Sequence, residues 1–322
     1  MVLVLVDYEN GEIDEASLQA VTYGRELAAS TGEPLEALVI GDASAASALG
    51  AYGVATVHVA VHDGLSNYAP VAAARATSQL ASRTGASVVL AAGSARGNEV
   101  IAHVGAITDL PVAADCVKVT PGSPTQVVRA RWGGSLIEEA NLHGSPALVT
   151  LVPHTVAAEP GGSGAGEVAE FTPELSDADL VVVAKLAEAA EESSGVSLAD
   201  AKVVVSGGRG VGSAEGFAPL EELAELLGGT VGCSRVVTGN GWRPHTEQVG
   251  QTGTKVAPDL YIACGISGAT QHIAGCRNAK TMIVINTDPE AAIMGYADYA
   301  IIGDVSKVLP AIVEATQKAK AG

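Results

Sequence analysis

The sequence predicts an α/β protein of two domains, each a mostly parallel sheet flanked by helices, the second Rossmann-like. Three observations carry this. Short runs of Val, Leu, Ile and Ala alternate with helix-length stretches along all 322 residues, and runs without polar alternation belong to strands covered on both faces. Aromatic residues make up only 3% against 48% hydrophobic, which suits helices packed closely on β-branched strands. At roughly 100 to 200 residues per domain, the length is that of two domains.

The first half reads in order as "VLVLVD", a helix over "EASLQAVTYGRELAAST", "EALVIG", "TVHVAV", a helix over 68–84, "SVVLAAG", a helix over 99–107, and "PVAADCVKV". "TQVVRARW" and "ALVTLV" follow as edge strands. "HTVAAEPGGSGAGEVAEF" is rich in Gly, Ala and Pro and reads as a linker over 154–170. "LVVVAKLAEAAEESSGVSLADA" reads as a strand and an acidic helix, after which a new βα series begins. The boundary is placed near 190, giving a scaffold and partner-docking domain over 1–190 and a ligand-binding domain over 191–322. The second half offers strands "KVVVSG", "TVGCSR", "LYIACG", "TMIVIN" and "YAIIGD", with helices over 219–227, 268–276 and 305–318.

The net charge of -18, from 36 acidic and 18 basic residues, argues against nucleic-acid and anionic-membrane partners. Local N–H groups and arginines still suffice for an anionic ligand, because salt screens distant charge beyond about 10 Å. Cys116, Cys233, Cys264 and Cys276 show no CxxC spacing and read as buried small hydrophobes in a reduced compartment. The apolar N-terminal run falls far short of the roughly 18 residues that span a bilayer, and it lacks a basic n-region and a cleavage site. The expected location is the cytoplasm.

Ligands of doubly wound sheets bind beyond the carboxyl ends of the strands. In the second half those ends are followed by "SGGRG", "SR", "GISGATQH", "NTDPE" and "GD", so the polar residues converge on one rim. "SGGRGVG" misses the GxGxxG fingerprint because Ser213 stands at the last glycine position, and Arg209 in that turn is the candidate. "SRVVTGNGWRPHTEQVGQTGTKVAP" reads as a long functional loop whose "QVGQTGT" centre offers backbone N–H groups and hydroxyls to a pyrophosphate or flavin edge. "GISGATQH" admits two readings. A nucleophile elbow would use Ser267 with His272 as base, but Ala269 replaces the last glycine and no acid is placed to orient His272. Alternatively, a helix opening after "GISG" aims N–H groups at a phosphate. Asn286 and Asp304 end strands and serve either as caps or as acceptors for a nucleoside. His58 and His62 lack the carboxylates that would complete a metal site, and no metal is expected.

With those residues assembled, the chain resembles the alpha subunit of electron transfer flavoproteins. The resemblance is carried by "VVSGGRG", "VGCSR", "QVGQTGTKVAPDLYIACGISGATQHIAG", "INTDPEA" and "ADYAIIGD" in the family's order, and more loosely by "GSARGNEV". It implies a heterodimer with a beta subunit and one FAD. Carried over by position, Arg209, Ser234, Arg235, Val249, Gly250, Gln251, Thr252, Ser267, Gly268, Ala269, Thr270, Gln271, His272, Asn286, Asp304 and Val305 would contact FAD. Arg235 would lie against the flavin ring, Thr252 near the ring nitrogen that takes up a proton, and His272 near the pyrimidine carbonyl. The implied role is an electron carrier rather than a substrate-converting enzyme. It would draw on flavin dehydrogenases, such as the acyl-CoA dehydrogenases of fatty acid beta-oxidation, and deliver to a membrane quinone oxidoreductase or other acceptor. An electron-bifurcating, NADH-oxidising complex is the alternative. Gly239 or Asn240 stands where the family has an acidic residue, and Cys276 where it has methionine.

Overall fold

The computed structural model describes residues 1–9, 12–41, 44, 46–65, 67–132, 134, 136–162, 166–182 and 197–321. The chain divides into two compact units, Met1–Ala187 and Glu188–Gly322. The expected boundary near 190, with most of the expected acidic helix, lies outside the described residues. Val181 and Val182 at the start of "VVVAK" are in no strand.

In the first unit, β1 (Val2–Val6) leads into a small antiparallel pair, β2 (Tyr8–Glu9) and β3 (Glu12–Ile13), and then α1 (Glu15–Thr31). Asp14 caps α1 by accepting from the Ser17 N–H, and Gly32 ends it in the left-handed conformation. Next come β4 (Leu35–Ile40), β5 (Thr56–Ala60), α2 (Pro70–Thr84), β6 (Val88–Ala92) and α3 (Ala95–Thr108). The series closes with β7 (Val112–Thr120), β8 (Thr125–Arg131), β9 (Leu136–Leu142), β10 (Ala147–Leu151) and β11 (Glu167–Phe171). The nine-stranded sheet runs β11-β5-β4-β1-β6-β10-β7-β8-β9, parallel except where β8 pairs with β7 and β9. β1 shows why its run is uninterrupted: Val2, Val4 and Val6 pack on the face of α1, Leu3 and Leu5 on that of α2 and α3. Full burial of each contributes about 1.5–3 kcal/mol.

Three expectations are corrected here. "ALVTLV" is not an edge strand: β10 lies between β6 and β7 with every residue buried. The true edge on that side is β9, whose residues are half-exposed or exposed up to Leu142. The linker over 154–170 ends in β11, which pairs parallel with β5 from Glu167↔Thr56 to Phe171↔Ala60; an edge strand needs only one partner, so a poorly apolar segment suffices. Finally, α3 starts at Ala95, ahead of the expected residue 99, because Ser94 accepts from the Gly97 N–H and caps it.

The second unit contains β12 (Val203–Gly207), α4 (Ala218–Leu227), β13 (Thr230–Cys233), α5 (Arg235–Gly239) and β14 (Leu260–Cys264). It continues with α6 (Thr270–Cys276), β15 (Thr281–Asn286), β16 (Tyr299–Ile302) and α7 (Val305–Ala321). The five strands are all parallel in the order β13-β12-β14-β15-β16, so the winding reverses between β12 and β14. One face packs Val205, Ile262 and Ile285 against Leu220 and Leu223 of α4 and Leu309 and Val313 of α7. The other packs Val204, Tyr261 and Val284 against Ile273 and Cys276 of α6. The long loop expected after β13 is partly ordered: α5 opens it, and Arg243 pairs with Glu247 at 2.6 Å and with Glu221 of α4. Among the described residues, no helix is long and apolar enough to cross a membrane.

Candidate functional site

A cleft of about 680 Å³ opens beyond the carboxyl ends of β12, β13, β14 and β15, where the reversed winding parts the connecting loops. Arg209 and Gly210 enter it after β12, and Ser234, Arg235 and Val236 after β13. Gln248, Val249, Gly250, Gln251 and Thr252 come from the following loop. Gly265, Ile266, Ser267, Ala269, Gln271 and His272 follow β14, and Asn286, Asp288 and Ala291 follow β15.

Backbone contacts build its walls. The turns after β12 and β14 meet directly, with the Gly210 N–H donating to the Gly265 carbonyl at 3.0 Å. Gly265 has φ +65°, and a Cβ there would lie 2.6 Å from Gly210 Cα, so only glycine lets the two turns touch. The loop carrying Gly250 is fastened by Val249 N–H to the Cys233 carbonyl at 2.9 Å and by Gln251 N–H to the Gln271 carbonyl at 2.7 Å. Gly250 itself has φ +150°, with a Cβ falling 3.0 Å from the Gln271 carbonyl. Buried Gln248 accepts from Thr238 Oγ1 at 2.8 Å and donates to Thr252 Oγ1 at 3.1 Å, which fixes the Thr252 hydroxyl in the lining. Asn286 donates to the Ile266 carbonyl at 2.8 Å and accepts from the Asp288 N–H at 3.1 Å, so it braces the rim while facing the cleft.

The lining carries two arginines and one carboxylate, Asp288. Arg209 and Arg235 are exposed, and neither has an ion-pair partner among the described residues. His272 is 6% exposed, and its Nε2 lies 2.9 Å from Tyr261 Oη. Burial lowers the imidazole pKa to about 4, against a smaller opposing effect of the Val249 backbone, so the ring is neutral at neutral pH. Its Nδ1 has no hydrogen-bond partner of good geometry. Cys276 is fully buried, and its thiol donates to the His272 carbonyl at 3.6 Å. Burial pushes its pKa up to about 12, which keeps it a packing residue rather than a thiolate.

Of the residues singled out from sequence, the cleft brings together Arg209, Ser234, Arg235, Val249, Gly250, Gln251, Thr252, Ser267, Ala269, Gln271, His272 and Asn286. Gly268, Thr270, Asp304 and Val305 lie outside its lining. Asp304 accepts from the Ser306 N–H and hydroxyl at 2.9 and 2.8 Å, which also lowers its pKa, and Val305, the first residue of α7, is in the core. α6 begins at Thr270, two residues later than expected, and is only seven residues long. No hydrogen bond joins Ser267 to His272, whose Nε2 faces Tyr261 instead, so the nucleophile-elbow arrangement is not formed. His58 pairs with Glu36 at 2.6 Å across β4 and β5. Gly210, Val236, Gln248, Gly265, Ile266, Asp288 and Ala291 were not singled out. The signal for all of them is adjacency, since each stands in or directly beside a polar segment already noted.

The arrangement suits a large anionic ligand with a polar head. The two guanidiniums without ion-pair partners suit phosphate oxygens, and the unpartnered buried imidazole nitrogen suits a polar atom. Comparison with known proteins supplies its identity. A family model described as the electron transfer flavoprotein FAD-binding domain matches residues 197–277, and one described as the electron transfer flavoprotein domain matches residues 2–176. The chain is 37% identical to the electron transfer flavoprotein subunit alpha of Mycobacterium tuberculosis over 99% of both chains. It is 33% identical to that of Thermoanaerobacterium thermosaccharolyticum over 98% of both, and 34% identical to that of Bacillus subtilis over 97% of this chain and 96% of the relative. The chain therefore belongs to the electron transfer flavoprotein alpha-subunit family, an electron-transport family with FAD as its cofactor.

Proposed function

We propose that this chain pairs with a beta subunit as a heterodimer, holds one FAD in the cleft of its second unit, and relays electrons from flavin dehydrogenases, such as acyl-CoA dehydrogenases, to a membrane quinone oxidoreductase or another acceptor. The observation that carries the reading is the pair of unpaired arginines facing a glycine-walled cleft in a protein of net charge -18. Bound FAD supplies an isoalloxazine ring able to accept and return electrons singly.

The chain's own residues bind, orient and stabilise. Arg209 would hold phosphate oxygens, and the hydroxyls of Ser234 and Ser267 would add donors. Arg235 would set positive charge where reduction adds negative charge. Thr252, whose hydroxyl accepts from Gln248, would offer that hydroxyl near the ring nitrogen that takes up a proton. His272 supplies a neutral donor from the buried wall. A cytoplasmic location belongs to the same reading, supported by four cysteines that are all unpaired and buried.

Co-production with the beta subunit, followed by flavin extraction and spectroscopy, tests it. One FAD per heterodimer, reduced by a flavin dehydrogenase and not by NADH, is expected. Two FADs with direct NADH reduction would make the complex a bifurcating one, and colourless protein would overturn the reading.

A further inference from the structure

Tyr261 is a fully buried phenol in the middle of β14, and its hydroxyl reaches into the wall behind the cleft. Among the described residues its one hydrogen-bond contact of good geometry is His272 Nε2 at 2.9 Å, with the two rings 6.2 Å apart and tilted by 55°. A neutral imidazole donates from one nitrogen and accepts at the other, so this contact decides which nitrogen carries the proton. Three observations fix the direction. Burial holds the phenol pKa well above its ordinary value, so the hydroxyl always has a proton to give. Of the other groups near the phenol, the Cys276 thiol makes its hydrogen bond of good geometry to the His272 carbonyl, and Ser206 Oγ makes none. Nδ1, on a residue of the cleft lining, has no protein hydrogen bond of good geometry, so a proton there is left for the ligand.

We infer that Tyr261 is a positioning residue: its hydroxyl donates to His272 Nε2, fixes the tautomer with the proton on Nδ1, and thereby presents the one ring N–H that lacks a protein hydrogen bond as a donor to the cleft's ligand. The inference rests on the reading that this ligand is FAD. With the opposite tautomer, Nδ1 would be an acceptor, and a flavin carbonyl would meet lone pair against lone pair. Tyr261 is not itself part of the cleft lining.

Nitrogen-15 spectroscopy of histidine-labelled protein decides the tautomer directly, with the His272 signals among the seven histidines assigned by their loss in His272→Gln. Protonated Nδ1 and acceptor Nε2 are expected; protonated Nε2 overturns the inference, and this measurement needs no Tyr261 variant to fold. In Tyr261→Phe, the His272 signals move toward a tautomer mixture and FAD binds about fivefold more weakly, the scale of one neutral hydrogen bond. Unchanged signals and affinity also overturn it. In a His272→Asn background, whose amide donor is independent of the phenol, Tyr261→Phe adds no further loss; an additional loss there means that Tyr261 acts only by packing. Wild-type protein that shows protonated Nδ1 yet takes up no FAD sinks the functional reading and leaves the tautomer standing.

Discussion

The two units share one architectural rule, a parallel sheet with helices on both faces, and differ at the carboxyl ends of their strands. In the first unit the polar residues there satisfy one another. Ser94 donates to Asp7 at 3.3 Å while capping α3, Tyr68 donates to Glu99 at 2.5 Å, and Arg96 lies 5.1 Å over the Tyr68 ring. Thr150 donates to Asn98 at 2.7 Å and accepts from the Asp115 N–H at 3.0 Å. In the second unit the corresponding rim keeps two guanidiniums without ion-pair partners and an imidazole nitrogen without a hydrogen bond of good geometry among the described residues. A strand-end crevice thus becomes a site where polar groups are left over, and the same crevice becomes structure where they pair.

Breaking that contrast at its strongest point means closing the cleft. Gly265→Val adds a positive-φ penalty to a backbone clash, together about 3 kcal/mol, and should weaken FAD at least about 100-fold. Flavin absorbance per heterodimer measures this, with circular dichroism showing that the fold persists.

The buried imidazole gives the second unit an acid sensitivity. The His272 pKa falls from 6.5 to about 4 on folding, so below 6.5 the unfolded chain binds the proton more readily. Its contribution is full at neutral pH and is lost as pH falls toward 4, about 2 kcal/mol of it by pH 5. Urea unfolding of FAD-free protein at pH 7 and pH 5 should show the difference, and His272→Gln should remove it.

Arg235→Ala tests whether the unpaired charge favours the reduced cofactor. The potential of the first one-electron couple should fall by about 60 mV for each tenfold preference lost, with some FAD retained; a redox titration showing no shift would refute this role. The smallest effect sharpens the comparison from the other side. Burial raises the Asp7 pKa against the attraction of Arg96, so its favourable contribution belongs to low pH and is lost as pH rises through the raised value. Asp7→Asn should therefore stabilise the first unit at pH 7 by roughly 0.5 kcal/mol, read from chemical denaturation, without altering FAD content.

Much of this was legible in sequence because it depends on local pattern. Uninterrupted runs such as "VLVLV" and "TMIVIN" marked buried strands, and polar residues directly after them marked the rim from Arg209 to Asn286. What stayed hidden depends on long-range placement. Strand order is one case: nothing local in "ALVTLV" says that it inserts between two earlier strands. The Tyr261–His272 contact is another, since it depends on how α6 rotates over β14. Gln248 escaped notice because its role is to hold Thr252, a geometry that adjacency suggests but cannot fix.

The insertion of β10 also has a side that concerns time. During synthesis β6, β7, β8 and β9 all emerge before β10, yet β6 and β7 are never neighbours in the finished sheet. Until residue 151 leaves the ribosome, the nascent domain consists of two half-sheets, each with an unpaired edge. Such edges recruit foreign strands, and pairings of this sequence separation form slowly. A ribosome stalled between residues 142 and 147 would thus release the most aggregation-prone form of the chain, whereas a few residues more would weld the halves together.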